Sequence, residues 1–263
     1  MPTAELGDVT LHYELAGDGP PLLVVNGTGS DLRRKPSVLE SPLVQHFTVL
    51  AYDHRGLGRS RVADPAHQPT MADFAHDALR LCDHVGWKRL LLLGVSFGGM
   101  VAQEIALSGG ARIGRLVLAC TSPGGTGRAS APLHEVYRLP ATERAERLAS
   151  YTDIRTATDA LRREQLIRFI TVAAESDDLS AAPGLRKQLE ARRHHDTWDR
   201  LPSLRVPTLV AAGRHDGIAP LANAEALASR IPSARLRVFE GGHVFLLEDR
   251  TAWPAMIAFL QEA

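Results

Sequence analysis

Only two cysteines occur in the sequence, Cys82 and Cys120, charges of opposite sign balance, and no apolar run approaches the thickness of a bilayer. Two cysteines cannot staple a multi-bridge framework, and they lack the short paired spacing of a structural zinc site. Both are therefore expected as buried thiols in a reducing compartment. With 30 Lys plus Arg against 30 Asp plus Glu, no net field draws the chain to phosphate backbones or anionic lipid, and nucleic acid is not an expected partner. The densest apolar runs, Leu22 to Val25 and Leu90 to Leu93, fall far short of the roughly 20 residues a membrane span requires, so no membrane role is expected. The first residues carry Glu5 and Asp8 and have neither a basic leader nor an apolar stretch of signal-peptide length, which makes the cytoplasm the expected location.

What remains is a mixture that folds. Hydrophobic residues at 44% and charged residues at 23% rule out the apolar-poor signature of disorder, and 263 residues suffice for one large domain or a core with an insertion. Short apolar runs recur at VTLHYEL, PLLVV, FTVLAYD, RLLLLGV, RLVLAC, PTLVAAG and ARLRVFE, most of them too continuous to be covered on one face only. Helical patterns lie between them. The clearest is Met71 to Val85, where Met71, Phe74, Ala75, Ala78, Cys82 and Val85 recur at steps of three and four, with Thr70 as N-cap and Gly86 as stop. Strands alternating with helices predict an α/β fold with a mostly parallel sheet, since parallel neighbours need crossover connections.

The rhythm breaks after Thr121. SPGGTGRASAP reads as a linker and Leu133 to Arg200 as helices, so residues 123–203 are expected to form a helical cap inserted into a core of residues 1–122 and 204–263. Within it Leu161, Leu166, Ile167, Ile170 and Val172 read as packing surface. The group Arg192, Arg193, His194, His195 and Trp198 reads as a helix end with solvated charges and a packed indole, with carboxylate recognition as the sharper alternative.

Chemistry concentrates at RLLLLGVSFGGMVAQEIAL, where Gly94, Ser96 and Gly98 form G-x-S-x-G between a strand and a helix. A serine on so tight a turn presents its hydroxyl at the strand end, and the helix that starts there aims free N–H groups at the same point. The plainer alternative is a glycine-rich turn with Ser96 as a helix cap. A serine hydroxyl needs a base, and the base needs an orienting acid. His243 in EGGHVFLLED follows the last strand-like run, and Asp216 in TLVAAGRHDGIAP follows an earlier one, the Ser, acid, His order of such sites. Asp216 could instead cap a helix near Ala219, and His215 fits better as a neighbour than as the base. Asp53 in YDHRGLGRS suggests a structural salt bridge, Glu248 and Asp249 follow His243 too closely to orient it, and Asp196 and Asp199 belong to the cap. Oxyanion donors are expected from the backbone N–H groups of Phe97, directly after the serine, and of Thr28 in NGTG. NGTG is not followed by a Walker lysine or by G-x-G-x-x-G spacing, so no nucleotide cofactor is implied.

The motifs GVSFGG, YDHRGLGRS, GRHDGIAP and GGH, in that order over essentially the whole chain, resemble those of the α/β-hydrolase superfamily. The resemblance implies an eight-stranded, mostly parallel sheet, a helical cap after the sixth strand, and Ser96, Asp216 and His243 as nucleophile, acid and base. It implies no metal and no organic cofactor. The chain looks like small bacterial hydrolases similar to 3-oxoadipate enol-lactonases and haloperoxidase-like esterases. Many relatives have His-Gly where this chain has Asn26-Gly27, and the serine at position 96 argues against dehalogenase and epoxide hydrolase chemistry, which use aspartate there. A small-molecule ester or lactone is the expected substrate. The rival readings are a ligand receptor with little turnover and a lyase, perhydrolase or carbon–carbon hydrolase using the same residues. Neither composition nor motifs bear on whether the chain acts as a monomer or a homo-oligomer.

Overall fold

A computed structural model describes residues 2–175 and 183–262. Its strands are β1 (Thr3–Glu5), β2 (Val9–Ala16), β3 (Pro21–Val25), β4 (Thr48–Tyr52), β5 (Arg61–Val62), β6 (Leu90–Val95), β7 (Ile113–Ala119), β8 (Thr208–Gly213) and β9 (Ala234–Phe239). The helices are α1 (Met71–His84), α2 (Phe97–Gly109), α3 (Leu133–Val136), α4 (Ala141–Thr152), α5 (Ala160–Glu175), α6 (Pro183–Arg193), α7 (Leu221–Arg230), α8 (Phe245–Glu248) and α9 (Ala252–Gln261). The sheet runs β1-β2-β4-β3-β6-β7-β8-β9 and is parallel from β4 onward, with β2 antiparallel to β1, β4 and β5. The eight expected strands are thus present, joined by the two-residue β5 against β2.

Continuous apolar runs become strands buried on both sides. Alternate residues of β3 separate into two clusters: Leu23 and Val25 pack with Phe74 and Leu81 of α1 and Met100 of α2, while Leu22 and Val24 pack toward Met256 and Phe259 of α9. Thr70 caps α1 by a reciprocal bond pair with Asp73, and Gly86, at φ +78°, follows its end. Both cysteines are free and buried.

Between β7 and β8 the described residues carry α3, α4, α5 and α6 and no strand of the sheet, and residues 176–182 of the expected cap lie outside the described residues. Its packing differs from expectation in two places. Leu166 is buried, yet Leu161 and Val172 are 65% and 59% exposed, and Ile170 faces a cavity instead of a core. In the basic cluster, Arg193 and His194 are solvated beside Glu190, and Trp198 packs under Arg230, but Arg192 and His195 are buried. Asp53 also departs from the salt bridge expected of it. Its carboxylate accepts the backbone N–H groups of Leu32 and Arg59, and the turn's ion pair belongs to Arg55, bidentate on buried Asp77. The turn is too tight for Asp53 to face a guanidinium: a Cβ on Gly58 would lie 2.2 Å from its Oδ2.

No helix among the described residues is long and apolar enough to cross a membrane.

Candidate active site

Parallel strands bring their C-terminal ends to one edge, so loops far apart in sequence meet there. β6 ends in the turn that carries Ser96, whose φ of 57° and ψ of −116° lie outside the regions open to ordinary residues. The turn is fixed by Ser96 N–H donating to the Ala119 carbonyl at 2.8 Å, and by Thr121 Oγ1 donating to the Ser96 carbonyl. Neighbouring side chains are excluded by contact. A Cβ on Gly94 would sit 2.4 Å from the Gly98 carbonyl, and one on Gly98 would sit 1.9 Å from that of Val25.

His243 and Asp216 reach the same edge from β9 and β8. Gly241, at φ +119°, turns the chain, and His243 N–H donates to the Thr152 carbonyl at the end of α4. The imidazole lies between its partners, Nδ1 2.8 Å from Asp216 Oδ2 and Nε2 2.9 Å from Ser96 Oγ. A carboxylate can only accept, so Nδ1 carries the proton and Nε2 of the neutral ring is left to accept from the serine. Asp216 is fully buried, the His243 side chain 13% exposed, and Ser96 opens into the cavity. The other Asp216 oxygen, Oδ1, accepts from Ile218 and Ala219 N–H within the loop, and α7 begins only at Leu221 with Pro220 as its N-cap, so Asp216 braces a turn instead of capping a helix. His215 pairs with Glu240 and Glu248 accepts from Gly242 N–H, outside this chain of bonds.

Phe97 opens α2, where an N–H has no acceptor within the helix. Across from it, a Cβ on Gly27 would be 3.5 Å from Ser96 Cβ, and Thr28 lines the cavity. The loop has a support that the sequence did not reveal. Buried His54, from YDHRGLGRS, makes a 3.0 Å bond through Nε2 to the Asn26 carbonyl and stacks edge-on against Tyr52, Phe74 and Phe97. Burial pushes its pKa down to about 4, so the ring is neutral at pH 7 with its proton on Nε2. From the segment between β7 and β8, Gln188 on α6 accepts Gly29 N–H at 2.7 Å.

The cavity beside Ser96 is about 1000 Å³, at the upper end of the roughly 300–1,000 Å³ range of small-molecule sites. Much of its wall comes from the helical segment: Leu133, Tyr137, Arg144, Leu148, Phe169 and Ile170. Among the described residues no cluster of three or more His, Cys, Asp or Glu could hold a metal ion.

A mostly parallel sheet with helices on both faces and a serine at a strand-to-helix elbow defines an α/β-hydrolase-fold protein. Residues 20–250 match the family described as the alpha/beta hydrolase fold, and the chain belongs to it. It is 31% identical to a poly(3-hydroxyalkanoate) depolymerase of Ectopseudomonas oleovorans over 99% of this chain and 92% of that one. It is 27% identical to 3-oxoadipate enol-lactonase 2 of Acinetobacter baylyi, over 94% and 91% of the two chains. The crystal structure of an enol-lactonase from Burkholderia xenovorans LB400 superposes with a TM-score of 0.80 at 28% identity, covering 99% of this chain and all of that one.

Proposed function

We propose that the protein is a serine hydrolase that cleaves a carboxylic ester or lactone of a small molecule through an acyl-enzyme. The hydrogen-bonded sequence Asp216–His243–Ser96 carries this reading. His243 Nε2 takes the hydroxyl proton as Ser96 Oγ attacks the carbonyl carbon, and the Asp216 carboxylate stabilises the imidazolium. Carbonyl electrons move to an oxyanion received by the N–H groups of Phe97 and Thr28. The tetrahedral species collapses, His243 returns the proton to the leaving alkoxide, and the acyl group stays on Ser96. Water, deprotonated by the same imidazole, then attacks the ester carbonyl, and collapse of the second tetrahedral species releases the acid while His243 returns the proton to Ser96 Oγ. Every proton and electron pair is handled by the chain's own groups and water.

In the same proposal residues 123–203 act as a cap over the core formed by residues 1–122 and 204–263, a division supported by the cavity wall that α3, α4 and α5 supply. The names of the relatives, a depolymerase and a lactonase, support ester-type chemistry. The two free, buried thiols suit the cytoplasmic location expected from the sequence.

The test is hydrolysis of activated esters, lactones, enol-lactones and thioesters by wild type beside Ser96→Ala. Turnover that persists in the folded Ser96→Ala protein removes the assignment. A single burst of leaving group without sustained turnover would favour a receptor.

A further inference from the structure

The last carbonyls of an α-helix find no N–H within the helix and must be met from outside. At the end of α4 they are met by the two loops that carry the acid and the base. The Tyr151 carbonyl accepts Gly217 N–H at 2.9 Å, and the Thr152 carbonyl accepts His243 N–H at 2.6 Å. Just beyond, Ile154 N–H donates to the His215 carbonyl at 3.0 Å. Residues 151–154 therefore hold Asp216 from both sides through its chain neighbours and hold His243 directly. The fit leaves no slack: a Cβ on Gly242 would stand 2.1 Å from the Thr152 carbonyl oxygen and 2.9 Å from Asp153 Cβ.

Asp153 sets the shape of this turn. Its backbone leaves the helix at φ −150° and ψ 114°, and its side chain accepts Arg155 N–H at 2.9 Å, which starts the single turn Ile154–Ala157. The side chain is 1% exposed, and a charge so placed is costly to bury without partners. Arg155 lies across both carboxylate oxygens, and Arg162 Nη1 of α5 reaches Oδ2 at 3.0 Å. Burial opposes the charge, but these bonds and the fields of both guanidinium groups outweigh it and hold the Asp153 carboxyl below its ordinary pKa. The same Arg162 nitrogen donates to Glu248 Oε1 at 3.1 Å, and Glu248 Oε2 accepts Gly242 N–H at 2.9 Å. Two consecutive amides, Gly242 and His243, are thus tied to Glu248 and Thr152, and Arg162 bridges the two ties.

We infer that Asp153 is a positioning residue: with Arg155 and Arg162 it locks residues 151–154 into a clasp that keeps the His243 imidazole in register with Asp216 and Ser96. The effect on rate rests on the serine-hydrolase reading, whereas the register itself can be observed without turnover. Proton transfer at this site depends on that register, and a misplacement of about 1 Å can cost about 10²-fold in rate. The clasp lies in the segment between β7 and β8, which thereby shares in the chemistry without touching the reacting atoms.

Asp153→Asn keeps the size and an oxygen for Arg155 N–H but loses the charge. The Arg155 and Arg162 side chains are each 30% exposed and can turn to water, so the variant can fold. With an activated ester that wild type turns over, kcat should fall by about ten- to hundredfold while KM stays within about twofold. Arg162→Gln should lower kcat by about three- to tenfold, because Arg155 stays on both oxygens. Combining the two changes should cost little more than Asp153→Asn alone, as groups on one path do. Independently of turnover, the proton NMR signal of the Nδ1–H between His243 and Asp216, identified by its absence from His243→Ala, should shift or vanish in Asp153→Asn. Arg162→Gln carries the same two comparisons if Asp153→Asn does not fold, as circular dichroism will show. An unchanged kcat, a loss carried by KM, or a wild-type Nδ1–H signal in the folded variant overturns the inference. A displaced signal, with no ester hydrolysed by wild type, would keep the clasp and discard the hydrolase reading.

Discussion

Asp216 gives His243 one carboxylate oxygen and keeps the other for the backbone N–H groups of Ile218 and Ala219. The split fixes the carboxylate plane, so the imidazole can turn neither away from Ser96 nor into the tautomer that protonates Nε2. Asp216→Asn can retain the bonds from Ile218 and Ala219 N–H through its carbonyl oxygen while presenting an NH₂ group to Nδ1. Hydrolysis should fall by about 10⁴-fold, as loss of the correct tautomer does in such triads, with the melting temperature little changed. Steady-state kinetics beside a thermal melt measure both, and near-normal kcat would contradict the assigned role.

His54 should matter to rate without touching substrate. Its Nε2–H holds the Asn26 carbonyl and so the loop that carries Thr28, while its ring braces Phe97. His54→Phe keeps an aromatic ring and loses the donor. We expect kcat to drop about tenfold or more, short of the 10²- to 10³-fold for losing an oxyanion donor outright, with KM nearly constant. His54→Gln, which retains an N–H, should recover part of the loss. A rise in KM at constant kcat would place His54 in substrate binding instead.

Gly98 has no room for a methyl group. A Cβ there would stand 1.9 Å from the Val25 carbonyl oxygen and 2.6 Å from that of Asn26, both backbone atoms of the central sheet edge. Gly98→Ala should cost at least about 2–3 kcal/mol, since backbone must shift, and should lower activity by moving the Asn26 loop. Urea unfolding against wild type reads the first effect. A midpoint equal to wild type would show the elbow to be looser than its contacts require.

Two buried histidines set how stability responds to acid. An unfolded histidine takes up its proton near pH 6.5, whereas burial holds His54 down to about 4 and His195 to about 3. Their stabilising contribution is full above pH 6.5 and is lost as pH falls toward those values, because the unfolded chain then binds more protons. The slope should approach roughly 1.4 kcal/mol per pH unit for each ring. Melting temperatures between pH 8 and pH 4 measure it, and His195→Leu should remove about half the dependence. An unaltered slope in that variant would mean that His195 takes up its proton as readily in the folded chain as in the unfolded one.

The sheet was legible because both-face burial leaves continuous apolar runs, and α1 because Thr70, its apolar spacing and Gly86 agree. β5 was not, since Arg61–Val62 has no pattern to show. Ser96, His243 and Asp216 could be picked out because each stands beside glycines that a strand-end turn requires. His54 could not: its role depends on a carbonyl 28 residues away, and the sequence gives that distance no signature. Asp53 invited an ion pair because a neighbouring arginine suggested one, but the turn brings amides rather than a guanidinium to its oxygens.

The bond from Gly29 to Gln188 binds the loop beside Ser96 to a helix of the segment between β7 and β8. The two parts are therefore not interchangeable modules. A chimera that grafts a relative's segment in place of the one between β7 and β8 would strand the Gly29 amide unless the donor supplied an acceptor at the same place. New specificities built by exchanging that segment should then arrive with a penalty in turnover that point changes within it avoid.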